Sequence, residues 1–145
     1  MKKLVIFIPS IESGGVEKNL LYIVEFLSKK NLDIYVVTAN RDKKKYFNKN
    51  IKFLCPTTSN WNNSSRLVKT IMCLKIIFTQ LPKNSISFFS FQSNITAIIL
   101  SKLFGFKIII RLNTSINKYL DGFMKKFFFK IIYSLSDKII VNSSF

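Results

Sequence analysis

The amino-terminal stretch constrains this chain most. Leu4-Val5-Ile6-Phe7-Ile8 is an unbroken apolar run, the pattern of a strand buried on both faces. A loop from Pro9 to Gly14 follows and closes on the pair Gly14-Gly15. Val16, Leu20, Ile23, Val24 and Leu27 then recur at helical spacing and form one apolar stripe. Lys29-Lys30-Asn31 ends that helix with positive charge at the negative end of its dipole. Asp33–Thr38 is a second apolar strand, so the segment reads as a strand–helix–strand unit with a right-handed crossover. In such a unit the glycines sit at the carboxyl edge of the sheet. There backbone N–H groups and the helix dipole favour an anionic ligand.

The alternation continues. Asn40–Asn50 is polar and basic, a loop or a short helix; Ile51–Leu54 is a short third strand; Thr57–Ser65 is a polar loop holding Trp61. Arg66–Leu81 is helical, with Leu67, Ile71, Leu74, Phe78 and Leu81 expected to face the core and Lys69, Met72 and Ile76 to lie opposite. Pro82-Lys83-Asn84 ends it. Ser85–Ser90 is a fourth strand, Ser93–Phe104 a helix ending at Gly105, and Lys107–Leu112 a fifth strand. Asn117–Leu135 is mostly helical and Lys138–Val141 is a sixth strand. The expected fold is a doubly wound, mainly parallel α/β sheet, Rossmann-like, formed as one domain over residues 1–145.

Composition limits the chemistry. The chain has no histidine, which removes His-based acid–base catalysis, Ser–His–Asp triads and most zinc sites. Cys55 and Cys73 form no CxxC pair and read as reduced thiols, with a disulfide the alternative. Lys and Arg number 23 against 7 acids, a formal charge of +16, which favours an anionic partner. No zinc-finger, helix-turn-helix or RNA-recognition pattern accompanies that charge, so nucleic acid is not the expected partner. No run is long enough for a spanning helix, and Pro9 and Glu12 stand where a signal peptide would carry a small-residue cleavage site. The expected location is cytoplasmic, peripheral on the inner face of the cytoplasmic membrane.

The candidate site gathers at strand ends. Gly14, Gly15 and Glu17 follow the first strand; Phe91, Gln92 and Ser93 follow the fourth; Arg111, Asn113 and Thr114 end the fifth; Ser143 and Ser144 follow the sixth. All belong to one rim in a parallel sheet, where an arginine beside the glycine loop makes an anion clamp. Glu17, in the first helical turn, also reads as plain compensation of the dipole. The GxGxxG dinucleotide fingerprint is missing, and Thr38-Ala39-Asn40-Arg41 follows the second strand in place of a ribose-binding acid. Arg41 beside a 2′-phosphate keeps an NADP-binding domain as an alternative. In the last helix Met124, Phe127, Phe128, Ile131 and Leu135 are expected in the core. Lys126, Phe129, Lys130 and Tyr133 lie opposite and resemble an interfacial membrane face.

Three stretches carry a family resemblance: Lys3–Pro9 followed by Gly14-Gly15-Val16-Glu17-Lys18, the helix ending in Leu27-Ser28-Lys29-Lys30 before Asp33–Thr38, and Leu135-Ser136-Asp137-Lys138-Ile139-Ile140-Val141-Asn142-Ser143-Ser144. Together they resemble the amino-terminal domain of glycosyltransferase family 4. The resemblance implies half of a GT-B fold, two Rossmann-like domains facing across a cleft. It implies an acceptor-binding role toward a saccharide or a lipid-linked or phosphorylated sugar, with a nucleotide sugar as donor and no metal or other cofactor. The glycine loop would reach the cleft near the donor diphosphate, and transfer would retain configuration. Bacterial surface-polysaccharide or lipopolysaccharide assembly is the expected setting. Where many members carry a histidine, this chain has Arg111-Leu112-Asn113. Asn113 can position a ligand but cannot act as acid or base. The family's E-x7-E donor motif and its second domain lie outside these residues. The fragment is therefore expected to be inactive alone, as a truncated enzyme or as the non-catalytic, membrane-associated subunit of a split one.

Overall fold

A computed structural model of the chain describes residues 2–12, 14–58, 60–81, 86–112 and 122–141. Strands and helices alternate: β1 (Lys2–Phe7), α1 (Gly15–Ser28), β2 (Leu32–Val37), a 3-10 helix (Arg41–Tyr46), β3 (Lys52–Leu54), α2 (Arg66–Gln80), β4 (Ile86–Ser90), α3 (Asn94–Leu103), β5 (Lys107–Leu112), α4 (Phe123–Ser134) and β6 (Lys138–Val141). The apolar runs become strands of one sheet with the order β3-β2-β1-β4-β5-β6, every pair parallel. Leu4 pairs with Ile34 on one side and with Ser87 on the other. The chain therefore winds one way from β1 to β3 and the other way from β4 to β6. That is the doubly wound, Rossmann-like arrangement, with its switch point between β1 and β4.

Alternation along the strands sends side chains to both faces. Val5, Phe7, Phe88, Ile108 and Ile110 pack with Cys73 and Ile77 of α2, Ala97 and Ile98 of α3, and Ile132 of α4. Leu4, Ile6, Ile34, Val36 and Phe89 pack on the other face with Leu20 and Val24 of α1 and with Ile51 beyond the 3-10 helix. Right-handed crossovers dictate this division, because strands laid down in opposite directions place their helices on opposite faces. Phe7 and Phe88 are fully buried, and truncating either to Ala would cost about 3–5 kcal/mol.

Two helices turn differently from the sequence expectation. On α2, Leu67, Ile71 and Phe78 are exposed and Leu74 is half-buried, while Lys69, Thr70, Cys73, Ile76 and Ile77 are buried. The compact, largely β-branched side chains fit against the sheet, and the Lys69 ammonium finds a buried partner in the Ser10 hydroxyl at 3.2 Å. On α4, Ile132 is buried and Tyr133 packs against the same core, so Met124, Phe127, Phe128, Ile131 and Leu135 point outward. Phe129 and Tyr133 are half-buried rather than part of an outer membrane face; Lys126 and Lys130 are exposed. Among the described residues no helix is long and apolar enough to cross a membrane.

Candidate functional site

The switch point opens a cleft of about 800 Å³ at the carboxyl edge of the sheet. Its walls come from the β1–α1 loop, the first turns of α1, α2 and α3, the end of β5 and the inner side of α4. In a parallel sheet every helix that follows a strand starts at this edge, so three helix N-termini converge here by topology.

The β1–α1 loop is fixed from several directions. The Pro9 carbonyl accepts from Ala39 N–H at 3.1 Å, Ile11 N–H donates to Asn40 Oδ1 at 2.9 Å, and Ser10 N–H donates to Gln92 Oε1 at 3.3 Å. Lys69 Nζ donates to Ser10 Oγ, and Ser10 Oγ donates to Glu12 Oε1 at 3.2 Å. Glu12 also accepts from Arg66 Nη2 at 2.9 Å, which ties the loop to α2. That hydrogen bond holds the Glu12 carboxyl below its ordinary range. Gly14 precedes α1 and makes no side-chain cap. A Cβ built on either Gly14 or Gly15 meets no atom within 4 Å, so packing leaves open space at the loop. Glu17 lines the cleft and is bound to Lys43 Nζ at 3.2 Å, a largely buried pair joining α1 to the 3-10 helix.

The opposite wall is built around Arg111. Its side chain is only 4% exposed and its guanidinium lies 5.2 Å from the centre of the Phe91 ring. Burial draws its pKa down from the ordinary value, and a guanidinium stays charged through such a shift. Asn94 Nδ2 donates to the Arg111 carbonyl at 2.9 Å, while Asn94 Oδ1 and the Gln92 carbonyl both stand 2.8 Å from the Ser90 hydroxyl. Ser93 adopts the left-handed conformation (φ 54°, ψ 41°), uncommon for a residue with a side chain. Its hydroxyl pairs with Thr70 Oγ1 at 3.1 Å instead of capping α3. Phe129 and Tyr133 stack at 5.6 Å and close the side beneath α4. Burial pushes the Tyr133 hydroxyl up against the opposing effect of a hydrogen bond with Asn94.

The structure thus brings together Gly14, Gly15, Glu17, Phe91, Gln92, Ser93 and Arg111 of the expected rim. Asn113, Thr114, Ser143 and Ser144 lie outside the described residues. Lys126, Lys130 and Arg41 are exposed and do not line the cleft. Phe129 and Tyr133, expected on the outer face, are cleft residues, because α4 is rotated about its axis relative to its strongest apolar stripe. Sequence reasoning missed Glu12, Arg66, Thr70 and Asn94 as lining residues. The signal for Arg66 and Thr70 was available: they open a helix that follows a parallel strand, and its N-terminus must face this edge. Asn40, where a dinucleotide-binding domain would hold a ribose, is instead committed to the loop through Ile11.

The two cleft carboxylates each bind a cation, Glu12 to Arg66 and Glu17 to Lys43, and Arg111 adds further positive charge. Among the described residues no group of three acids, cysteines or histidines is placed to hold a metal ion. The arrangement suits a ligand with an anionic group at the glycine loop and an apolar or sugar face against Phe91, Phe129 and Tyr133. Comparison with protein-family models, with curated proteins and with solved structures finds no match for this chain.

Proposed function

We propose that this domain binds the acceptor of a glycosyltransferase built from two Rossmann-like domains and resembling family 4. The complete enzyme would move a sugar, with retention, from a nucleotide sugar to a phosphorylated or lipid-linked saccharide. The observation that carries the reading is the cleft itself. It unites the glycine loop, the N-terminal turns of three helices and the buried Arg111 at the switch point of the sheet. In this reading Arg111 and the N–H groups at the start of α1 hold a phosphate. Phe91, Phe129 and Tyr133 support a sugar ring or the first carbons of a lipid carrier. Lys69 and Arg66 act indirectly, by fixing Ser10 and Glu12 and with them the glycine loop. The donor nucleotide belongs to a separate domain or subunit, so this domain binds without transferring.

Calorimetric titration with a sugar 1-phosphate, a nucleoside diphosphate and NADP tests the reading. The sugar phosphate should bind, with Arg111→Gln weakening it about tenfold to a hundredfold, the scale of a lost charge-assisted hydrogen bond. Arg111→Lys, which keeps the charge, should retain part of the affinity. Binding of NADP alone, abolished by Arg41→Ala, would replace this proposal with a dinucleotide domain.

A further inference from the structure

Three helices cover one face of the sheet, and their outward side is apolar where a helix facing water would be polar. Ile71 and Phe78 of α2, Leu103 of α3, and Met124 and Phe127 of α4 are exposed, Leu103 by 76% and Met124 by 84%. Between α2 and α3 the surface is continuous: Phe78 meets Phe104, just beyond α3, edge to face at 5.2 Å, and α4 lies beside α3. Isolated exposed apolar residues are ordinary, but an array shared by three adjacent helices marks an interaction surface.

Charge identifies what covers it. No acidic residue occurs between Asp42 and Asp121. Consequently α2 and α3 contain none, and α4 contains none either. Lys75, Lys102, Lys126 and Lys130 stand exposed among the apolar side chains. Asp137, after α4, lies 3.8 Å from Lys102; the other described acids all belong to the chain up to Asp42. We infer that the outer face of the α2–α3–α4 layer docks on an anionic lipid surface. Among the described residues no acid pairs with Lys75, Lys126 or Lys130; lipid headgroups supply that negative charge, and the headgroup–acyl boundary accepts Leu, Phe and Met. A second copy, itself carrying +16, would set one lysine-bearing face against another. The same helices reach the cleft, since Leu67 at the first turn of α2 and Phe129 of α4 line its wall. Docking would bring the cleft beside the lipid interface. The inference rests on this surface and stands independently of sugar transfer.

Vesicle flotation of the whole chain provides the test, with phosphatidylcholine vesicles against vesicles of equal parts phosphatidylcholine and phosphatidylglycerol. The chain should float with the anionic vesicles, remain behind with the neutral ones, and lose binding as salt is raised. Each of Lys75→Gln, Lys126→Gln and Lys130→Gln should lower partitioning about fivefold. Ile71→Ser or Leu103→Ser should lower it about tenfold, and both side chains are exposed enough for the fold to survive the change. Lys29→Gln with Lys30→Gln, at the end of the helix on the other sheet face, is the control and should do little. No flotation with anionic vesicles would overturn the inference. So would an equal loss in the control, which would reduce the effect to net charge. A concentration-dependent dimer dispersed by Leu103→Ser in analytical ultracentrifugation would overturn it in favour of a second copy. Cleft binding of a soluble sugar phosphate is measured without lipid, so either proposal can fail alone.

Discussion

Gly15→Ala separates what the glycine loop does for the fold from what it does for a ligand. Gly15 is the first residue of α1, is not among the glycines with positive φ, and a Cβ there would meet no atom within 4 Å. Alanine at a compatible backbone position stabilises by restricting the unfolded chain, here by about 0.5 kcal/mol, the low end of the usual range, because the first helical residue is only partly constrained. With an unfolding entropy of about 2.1 cal/mol/K per residue, that raises Tm by about 1.5 °C for a chain of this length. The same methyl would stand in the space through which a phosphate oxygen approaches the N–H groups of the first turn. Displacing the ligand should cost about 1.5–3 kcal/mol, a tenfold to hundredfold loss in affinity. Scanning calorimetry and titration with a sugar 1-phosphate read the two effects on one sample. A lowered Tm would refute the open-space geometry. Unchanged affinity would refute the role of close backbone approach.

Other consequences follow from the contacts around the site. Asn40→Ala leaves the buried Ile11 N–H without its 2.9 Å acceptor and should destabilise by about 1–3 kcal/mol in urea titration, whereas Asn40→Asp, which keeps an acceptor, should lose less. The Lys52 ammonium beside Asp33 and the Arg66 guanidinium beside Glu12 hold both carboxyls below their ordinary values. The folded state therefore binds fewer protons than the unfolded chain, and this stabilisation is present at neutral pH and lost as pH falls below about 5. Urea midpoints measured against pH should show that decline, made shallower by Asp33→Asn. Burial pushes the Cys73 thiol up to about 12 and raises Cys55 less far, with Arg41 and Lys44 opposing. Both are free thiols, so Ellman's reagent at pH 8 should modify Cys55 in the native state and Cys73 only on unfolding.

The central strands were legible because strands buried on both faces spell themselves as continuous apolar runs; β1, β2 and β5 each fall within two residues of the expected bounds. The edge strand β6 was legible from its apolar run alone, since its residues are exposed. The rim was legible for the same reason: once Leu4–Ile8 and Lys107–Leu112 are read as parallel strands, Gly14 and Arg111 must share an edge. Helix orientation was not legible. Arg66–Gln80 offers two stripes at helical spacing, one with Leu67, Ile71 and Phe78, the other with Thr70, Cys73 and Ile77. Periodicity weights the bulkier stripe, but the sheet takes the compact one, and Lys69, which looks like a surface residue, is buried because Ser10 receives its ammonium.

That reversal bears on what the outer surface carries. A helix with one apolar face and one polar face needs only the core to explain its sequence. In α2 and α4 the larger apolar side chains lie outside and a smaller set is sufficient for the core: Cys73, Ile76 and Ile77 on one helix, and Ile132 with part of Tyr133 on the other. Folding alone therefore accounts for the inner stripe and leaves the exposure of Ile71 and Met124 unexplained. A water-facing surface would gain solubility from acids at such positions, yet every charged residue of the three helices is basic. Apolar side chains held outside the core, with basic charge only, are the two features on which the proposed docking to an anionic lipid surface rests.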